Sequence, residues 1–409
     1  MKKGKAGICL LLVLLLSVSC GLPAEEPESL ESILQRSAAQ SAADTAQQDT
    51  KVDPVTEQPE AEPAETEQAQ ADAVQTQQTE GSSQRYAYGH ISPEAQVVYD
   101  EILNCILAHD TKITVSTTDQ EVLDLAYEAM RADYGGLFWV ENYVYTTYTI
   151  DGEVTKLEFA PNYSMDQEER MVMQRSIDAS VEQMLSGCSP AATDYEKVKY
   201  VFETLIRNVA YDLEAPENQN IISAFVYRRT VCQGYACATQ YLLQQLGIES
   251  TVIKGIADNE NHAWNLVKLD DEYYYMDTTW GNAAFTGDVE IGADFINYDY
   301  LNVTTEEIGR THQSDVCFEL PNCTATADNY FVKEGLYFSE WDPDAVGELI
   351  SLAWFSGRLP VSVKFGSHEL AEQAFRYFIT EKHIADFCPG ITGFQYLDDL
   401  TQNVMTISF

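Results

Sequence analysis

The order of elements along this 409-residue chain predicts an α+β fold: helices packed on an antiparallel sheet, then a small C-terminal α/β appendage. Three observations carry the prediction. Apolar residues recur at helical spacing in "SPEAQVVYDEILNCILAHD" and "DQEVLDLAYEAMRADYGG". Alternating runs meet at Asp151-Gly152 and again at Asp270-Asp271, where a two-residue turn makes a hairpin. Beyond about residue 320, helix, strand and helix patterns alternate before two closing strands.

Taken from the N-terminus, "MKKGK", "ICLLLVLLL" and "SVSC" supply a basic start, an apolar core and a small-residue stop. That is the pattern of an export signal over residues 1–20. The apolar core is short for a permanent bilayer span. A cysteine after small residues resembles the lipobox of bacterial lipoproteins, with Cys20 as the lipidated residue and Ser17 where that motif usually carries leucine. Acyl burial of about 0.8 kcal/mol per methylene would then tether the chain to the outer face of the cell membrane. Residues 21–85 turn to Ala, Gln, Glu, Thr and Pro, a composition too poor in apolar surface to offset the entropy of ordering. They read as a disordered acidic linker.

From Tyr86 onward the patterns are those of a folded chain. Ser-Pro opens the first helix, "TKITVST" reads as a short strand, and two glycines stop the second helix. After the Asp151-Gly152 hairpin, helices are expected over about 165–187 and 193–209. "YDLEAPENQNIISAFVYRRT" reads as a long polar connection leading to "CATQYLLQQLGI", a helix ended by Gly247. The runs "STVIKGIA", "NHAWNLVKLD" and "EYYYMDTTW" are β-like. The last third supplies "AVGELISLAWFSG", "LPVSVKF" and "HELAEQAFRYFIT", then the strands "FQYLDD" and "VMTISF". No internal repeat is present.

A net charge of −41 without basic clusters excludes nucleic-acid binding, which needs cations to neutralise phosphates. Of nine cysteines, Cys9 and Cys20 belong to the signal region; an odd number remains, so at least one thiol stays free. Cys317 and Cys323, flanking a short loop, are the expected disulfide pair.

The chemistry concentrates in Cys232, His262 and Asp277. A thiol that attacks an amide must become a thiolate, and a helix N-terminus favours that anion. It also needs an imidazole to move its proton and a carboxylate to fix the imidazole's tautomer. A two-residue turn at Asp270-Asp271 sets Trp264 opposite Asp277 and His262 opposite Thr279, making His262 and Asp277 diagonal neighbours on one face. A one-residue bulge would separate them. The backbone N–H of Cys232 is a natural oxyanion donor, and Tyr211 reads either as a second donor or as a buried structural tyrosine. Gln233, Trp264 and Trp280 are expected as packing beside the site. Cys237 falls about 140° around the helix from Cys232 and is expected in the core. Cys232, Cys237 and His262 make a poor zinc site in geometry, and no metal is expected. His109, His312 and His383 carry no motif and read as structural or surface residues.

The stretches "VCQGYA", "NHAWN" and "YYYMDTTW" resemble the three motifs of the bacterial transglutaminase-like superfamily, papain-like in catalytic arrangement, over about residues 190–305. The helices before them and "NYFVKEGLYF" resemble segments of clostridial-type secreted lipoproteins with this domain. The resemblance implies an N-terminal α+β subdomain over 86–190, a catalytic core over 191–319 and a small α/β domain over 320–409. It makes Cys232 the nucleophile, His262 the general acid/base and Asp277 the residue that orients His262, with no cofactor. The animal cross-linking enzymes place their nucleophile in Gly-Gln-Cys-Trp, whereas Val231 and Gln233 flank Cys232 here. Calcium-dependent cross-linking is therefore not implied. The expected activity is a cell-surface thiol hydrolase acting on peptide, protein or peptidoglycan, with transamidation as its other outcome. The competing expectation is a non-catalytic surface binding module on the same scaffold.

Overall fold

The computed structural model describes residues 85–282, 295–357 and 360–409. The signal segment, Cys20 and the linker up to residue 84 lie outside the described residues. Among the described residues no helix is long and apolar enough to cross a membrane.

The chain is α+β. A short helix α1 (Tyr86–Gly89) precedes α2 (Pro93–Leu107). Ser92 caps α2 by accepting from the Ala95 N–H at 3.2 Å, and Pro93 fills the first helical position, where no N–H is needed. Strand β1 (Ile113–Val115) follows, then α3 (Gln120–Asp133), capped by Asp119. Strands β2 (Val140–Ile150) and β3 (Glu153–Tyr163) form the hairpin, with positive φ at both Asp151 and Gly152, as a type I′ turn requires. The sheet order is β1-β3-β2.

At the end of α3, the buried Asp133 carboxylate ties that helix to three other parts of the chain. It accepts from the N–H groups of Ala87 (3.0 Å) and Tyr88 (2.9 Å) and from the hydroxyls of Tyr99 (3.1 Å) and Thr251 (3.3 Å). Burial outweighs those bonds and pushes the carboxyl up to about 6 from an ordinary 3.8. The folded state therefore holds this proton more tightly than the unfolded chain. Stability contributed by the group is full below 3.8 and lost as the pH rises through about 6. In denaturant titrations, the stability advantage of wild type over Asp133→Asn should accordingly be larger at pH 4 than at pH 7. An advantage that grows with pH would contradict this account.

Helices α4 (Gln167–Leu185) and α5 (Asp194–Asn208) each begin in a capping box, Asp166 with Glu169 and Thr193 with Glu196. The following stretch departs from the long polar connection expected of it. Strands β4 (Ala210–Tyr211) and β5 (Arg229–Thr230) pair in parallel, and α6 (Ile221–Phe225) lies between them. Ile221, Ile222, Ala224 and Phe225 are buried, so four apolar residues in a polar context suffice for a core turn.

Helix α7 (Cys232–Gln245) ends at Gly247, whose φ of 77° suits glycine. It packs on the sheet made by β6 (Ser250–Ala257), β7 (Glu260–Leu269), β8 (Glu272–Met276) and β9 (His312–Ser314). Gln240 of α7 donates to the Ser250 carbonyl (2.8 Å), and Asn265 of β7 donates to the Ala236 carbonyl (3.0 Å). The order is β8-β7-β6-β9, antiparallel throughout. A short helix, α8 (Thr305–Ile308), precedes β9.

The last part contains α9 (Tyr330–Lys333), β10 (Tyr337–Phe338), α10 (Pro343–Ser356), β11 (Val361–Phe365) and α11 (His368–Phe375), which runs on as a π-helical turn to Thr380. Helix α12 (Ile384–Phe387) and strands β12 (Gln395–Asp399) and β13 (Val404–Ser408) complete it. Its sheet order is β10-β11-β13-β12, with only β10 and β11 parallel. Ile350, Phe365, Phe378 and Ile407 centre a core of its own. Each such side chain contributes about 1.5–3 kcal/mol by leaving water.

The expected bridge between Cys317 and Cys323 is not formed. Cys317 is exposed beside the Leu125 carbonyl (3.9 Å), whereas Cys323 is buried with its N–H bonded to Thr305 Oγ1 (2.8 Å). The short loop between them holds the two side chains in different surroundings.

Candidate active site

Cys232 is the first residue of α7. The preceding Val231 offers no side-chain cap, so the first-turn N–H groups and the positive end of the helix remain available beneath the thiol. Two residues on, a Cβ at Gly234 would overlap Thr230 Oγ1 and crowd Ser223 Oγ. The glycine lets the helix start sit tightly against β5 and α6. Cys237 points into the core, where burial pushes its thiol pKa up, and Gln233 Nε2 donates to its sulfur at 3.2 Å. Gln233 thus packs beside the site with its amide turned towards Cys237.

The hairpin places the other two groups. Pairing runs from Leu269 with Glu272 to Asn265 with Met276, the register of a two-residue Asp270-Asp271 turn. His262 Nε2 donates to Asp277 Oδ2 at 2.7 Å, while Asp277 Oδ1 accepts from the N–H groups of Thr279 (2.9 Å) and Trp280 (3.2 Å). Asp277 is fully buried. Burial works against its charge, yet His262 and the other donors hold the carboxyl well below the usual carboxylate range. Burial likewise opposes a charged His262, and the Asp277 charge, followed by a hydrogen bond with Cys232, overcomes it and raises the imidazole pKa. With Nε2 committed to Asp277, Nδ1 is the nitrogen left for the Cys232 thiol. This arrangement can carry a thiolate–imidazolium pair.

A third partner was not legible in sequence. His312 was expected to be structural or at the surface, but its Nε2 lies 3.1 Å from the same Asp277 Oδ2 and its side chain is fully buried. It arrives on β9, which pairs with β6, not with β7, which bears His262, or β8, which leads into Asp277. Gly255 makes that approach possible, since a Cβ there would overlap the Gln313 carbonyl and crowd the Trp264 ring. The sequence "RTHQSD" has no spacing signal; only strand order reveals the neighbour.

Trp264 and Trp280 wall the site. Their rings lie 6.1 and 6.0 Å from the His262 ring and 4.9 and 4.8 Å from that of His312, keeping water from the carboxylate. Tyr211 pairs with Thr230, two residues before Cys232. Burial first, then the charge of Cys232, pushes its phenol pKa up, so the hydroxyl keeps a proton to donate.

His262, Asp277 and His312 also bring three potential ligand atoms within 4.8 Å of one another. The separations of 2.7 and 3.1 Å are hydrogen-bond lengths. Ligands sharing a tetrahedral zinc would stand about 3.3 Å apart at bonds of about 2.0 Å. The geometry is that of donors converging on a carboxylate.

Residues 182–278, a span that holds Cys232, His262 and Asp277, match the family model of the transglutaminase-like superfamily. The chain is 24% identical over 110 residues to the kyphoscoliosis peptidase of Mus musculus, a match covering 22% of this chain and 16% of that one. The same protein of Homo sapiens matches to the same extent. The match thus spans about a sixth of these relatives' length. Among solved structures, a TGase covers 41% of this chain and 48% of its own at 14% identity, with a TM-score of 0.25. The periplasmic domain of TgpA from Pseudomonas aeruginosa covers 36% of this chain and 70% of its own at 15% identity, with a TM-score of 0.21.

Proposed function

We propose, on the premise that residues 182–278 form a transglutaminase-like domain, that this chain is a thiol hydrolase of peptide or amide bonds working through an acyl-enzyme on Cys232. The observation that carries this reading is the 2.7 Å bond from His262 Nε2 to Asp277 Oδ2, which leaves Nδ1 of an imidazole with a raised pKa for Cys232 at the start of α7. In the first half-reaction His262 takes the thiol proton and Sγ adds to the substrate carbonyl. The oxyanion forms beside the Cys232 N–H, with Tyr211 as second donor. Collapse breaks the C–N bond, His262 protonates the leaving amine, and a thioester remains. Water then attacks as His262 accepts its proton, releasing the acid and the free thiol. A primary amine in place of water gives transamidation.

The basic, apolar and small-residue pattern of residues 1–20 supports a location outside the cell, tethered through a lipid on Cys20. Peptides, proteins or peptidoglycan at the cell surface would then be the substrates.

Limiting iodoacetamide, with the modified position read by peptide mass spectrometry, tests the reading. Native protein should be labelled at Cys232 faster than after denaturation. The label should vanish in Cys232→Ala and persist in Cys237→Ala. Mapping is needed because Cys317 is exposed as well. Equal labelling of Cys232 in native and denatured protein would shift the reading to a non-catalytic binding module.

A further inference from the structure

We infer that His312 is a positioning residue for this site: it clamps the Asp277 carboxylate and is itself set by Thr311 and Tyr300. The inference rests on the catalytic reading of Cys232, His262 and Asp277, and it adds a fourth side chain with no place in their motifs.

Asp277 has four donors for its two oxygens. Oδ1 is taken by two backbone N–H groups, and Oδ2 by His262 and His312. Without His312, one side of Oδ2 would face only the Trp264, Trp280 and Tyr300 rings that surround the second imidazole. A carboxylate held on three points could turn or admit water, and His262 would lose its fixed direction.

The orientation of His312 follows from its neighbours. Asp277 Oδ2, 3.1 Å from Nε2, is a carboxylate oxygen that accepts, so Nε2–H is the donor of that bond and Nδ1 is turned to Thr311. Thr311 Oγ1 stands 2.7 Å from Nδ1 and can donate to it. The Tyr300 hydroxyl, 3.2 Å from Thr311 Oγ1, can in turn donate to the threonine oxygen. A chain of hydrogen bonds thus runs from Tyr300 through Thr311 and His312 to Asp277.

The test is the pH profile of Cys232 alkylation by iodoacetamide in the full chain, for wild type, His262→Ala, His312→Ala, His312→Gln and Thr311→Val. Thermal melting of each reports folding separately. His312→Ala should slow alkylation at pH 6 by about 10–100-fold and move the profile towards that of an unassisted thiol, near about pH 8.5. Glutamine can present an N–H where Nε2 stood, so His312→Gln should recover most of the rate. Thr311→Val, which keeps the shape and loses the donor, should fall between wild type and His312→Ala. A His312→Ala or Thr311→Val profile superimposable on wild type overturns the inference, as does a His312→Gln no faster than His312→Ala when both are folded. A wild-type profile identical to that of His262→Ala would instead remove the catalytic reading itself, and the clamp with it.

Discussion

Asp277→Asn is expected to lower the rate of Cys232 acylation by about 10⁴-fold, the scale set when an orienting carboxylate loses control of its imidazole's tautomer. Two backbone N–H groups pin Oδ1, so the amide oxygen of asparagine would keep that position. Its NH2 group would then face His262 and His312, both of which present Nε2–H to the carboxylate. Donor would meet donor. His262 can relieve the conflict by moving its proton to Nδ1, the nitrogen needed to accept from Cys232. The variant should therefore hold a histidine of the wrong tautomer, with iodoacetamide reactivity falling towards that of His262→Ala. A loss below tenfold in a folded variant would refute this account.

The same substitution has a pH signature in stability. Asp277 is depressed below its ordinary 3.8, so its contribution is present above that value and lost as the pH falls through the lowered one. His262 is raised above its ordinary 6.5, so its contribution is full below that value and lost as the pH rises through the raised one. Wild type should exceed Asp277→Asn in unfolding free energy most clearly between pH 3.8 and 6.5. The difference should shrink on both sides of that window. A difference independent of pH would mean that the two groups are not coupled.

What the sequence revealed about this site, and what it hid, divides along the range of the interactions. The Asp270-Asp271 turn is local, and a strand has a period of two, so the facing of His262 and Asp277 could be worked out from residue numbers. Cys232 at the mouth of a helix was legible from the apolar spacing of "CATQYLLQQLGI" and its closing Gly247. His312 was not, because it joins the site through the pairing of β9 with β6, and no short-range pattern in "RTHQSD" announces that pairing. Gly255 was the one local hint, yet a glycine inside a strand signals a close approach without saying whose. Helix α6 was lost in a polar context for a related reason. Its four buried apolar residues span little more than one turn, too few for a period to emerge. The Cys317–Cys323 expectation failed because closeness in sequence says nothing of side-chain direction.

Glu307→Ala is expected to destabilise the folded chain by about 3–5 kcal/mol, the cost of stranding a buried charge. Lys364 on β11 is almost wholly buried, and its ammonium meets Glu307 Oε1 of α8 at 2.8 Å. Burial disfavours the Glu307 carboxylate, but the Lys364 charge and the capping bonds from Thr304 keep its pKa below the usual range. Oε2 accepts from both the N–H and the hydroxyl of Thr304 at 2.9 Å, closing the capping box of α8. Alanine removes the counter-charge and the cap together. Lys364→Met leaves the cap intact and fills the space of the lysine stem, and a second change to methionine in Glu307→Ala removes the stranded ammonium. The double variant should therefore be more stable than Glu307→Ala alone, as measured by urea unfolding. A cost below about 1 kcal/mol for Glu307→Ala would place the pair among ordinary surface bridges. The effect should also reach the active site. Gln402 donates to the Glu307 carbonyl (3.1 Å) and Arg310 to the Thr401 carbonyl (3.0 Å), so the C-terminal hairpin grips the segment that leads directly into His312. Loosening that grip should slow Cys232 alkylation in Glu307→Ala even at temperatures where the protein stays folded, while Glu307→Gln, which keeps an acceptor for Thr304, should slow it less.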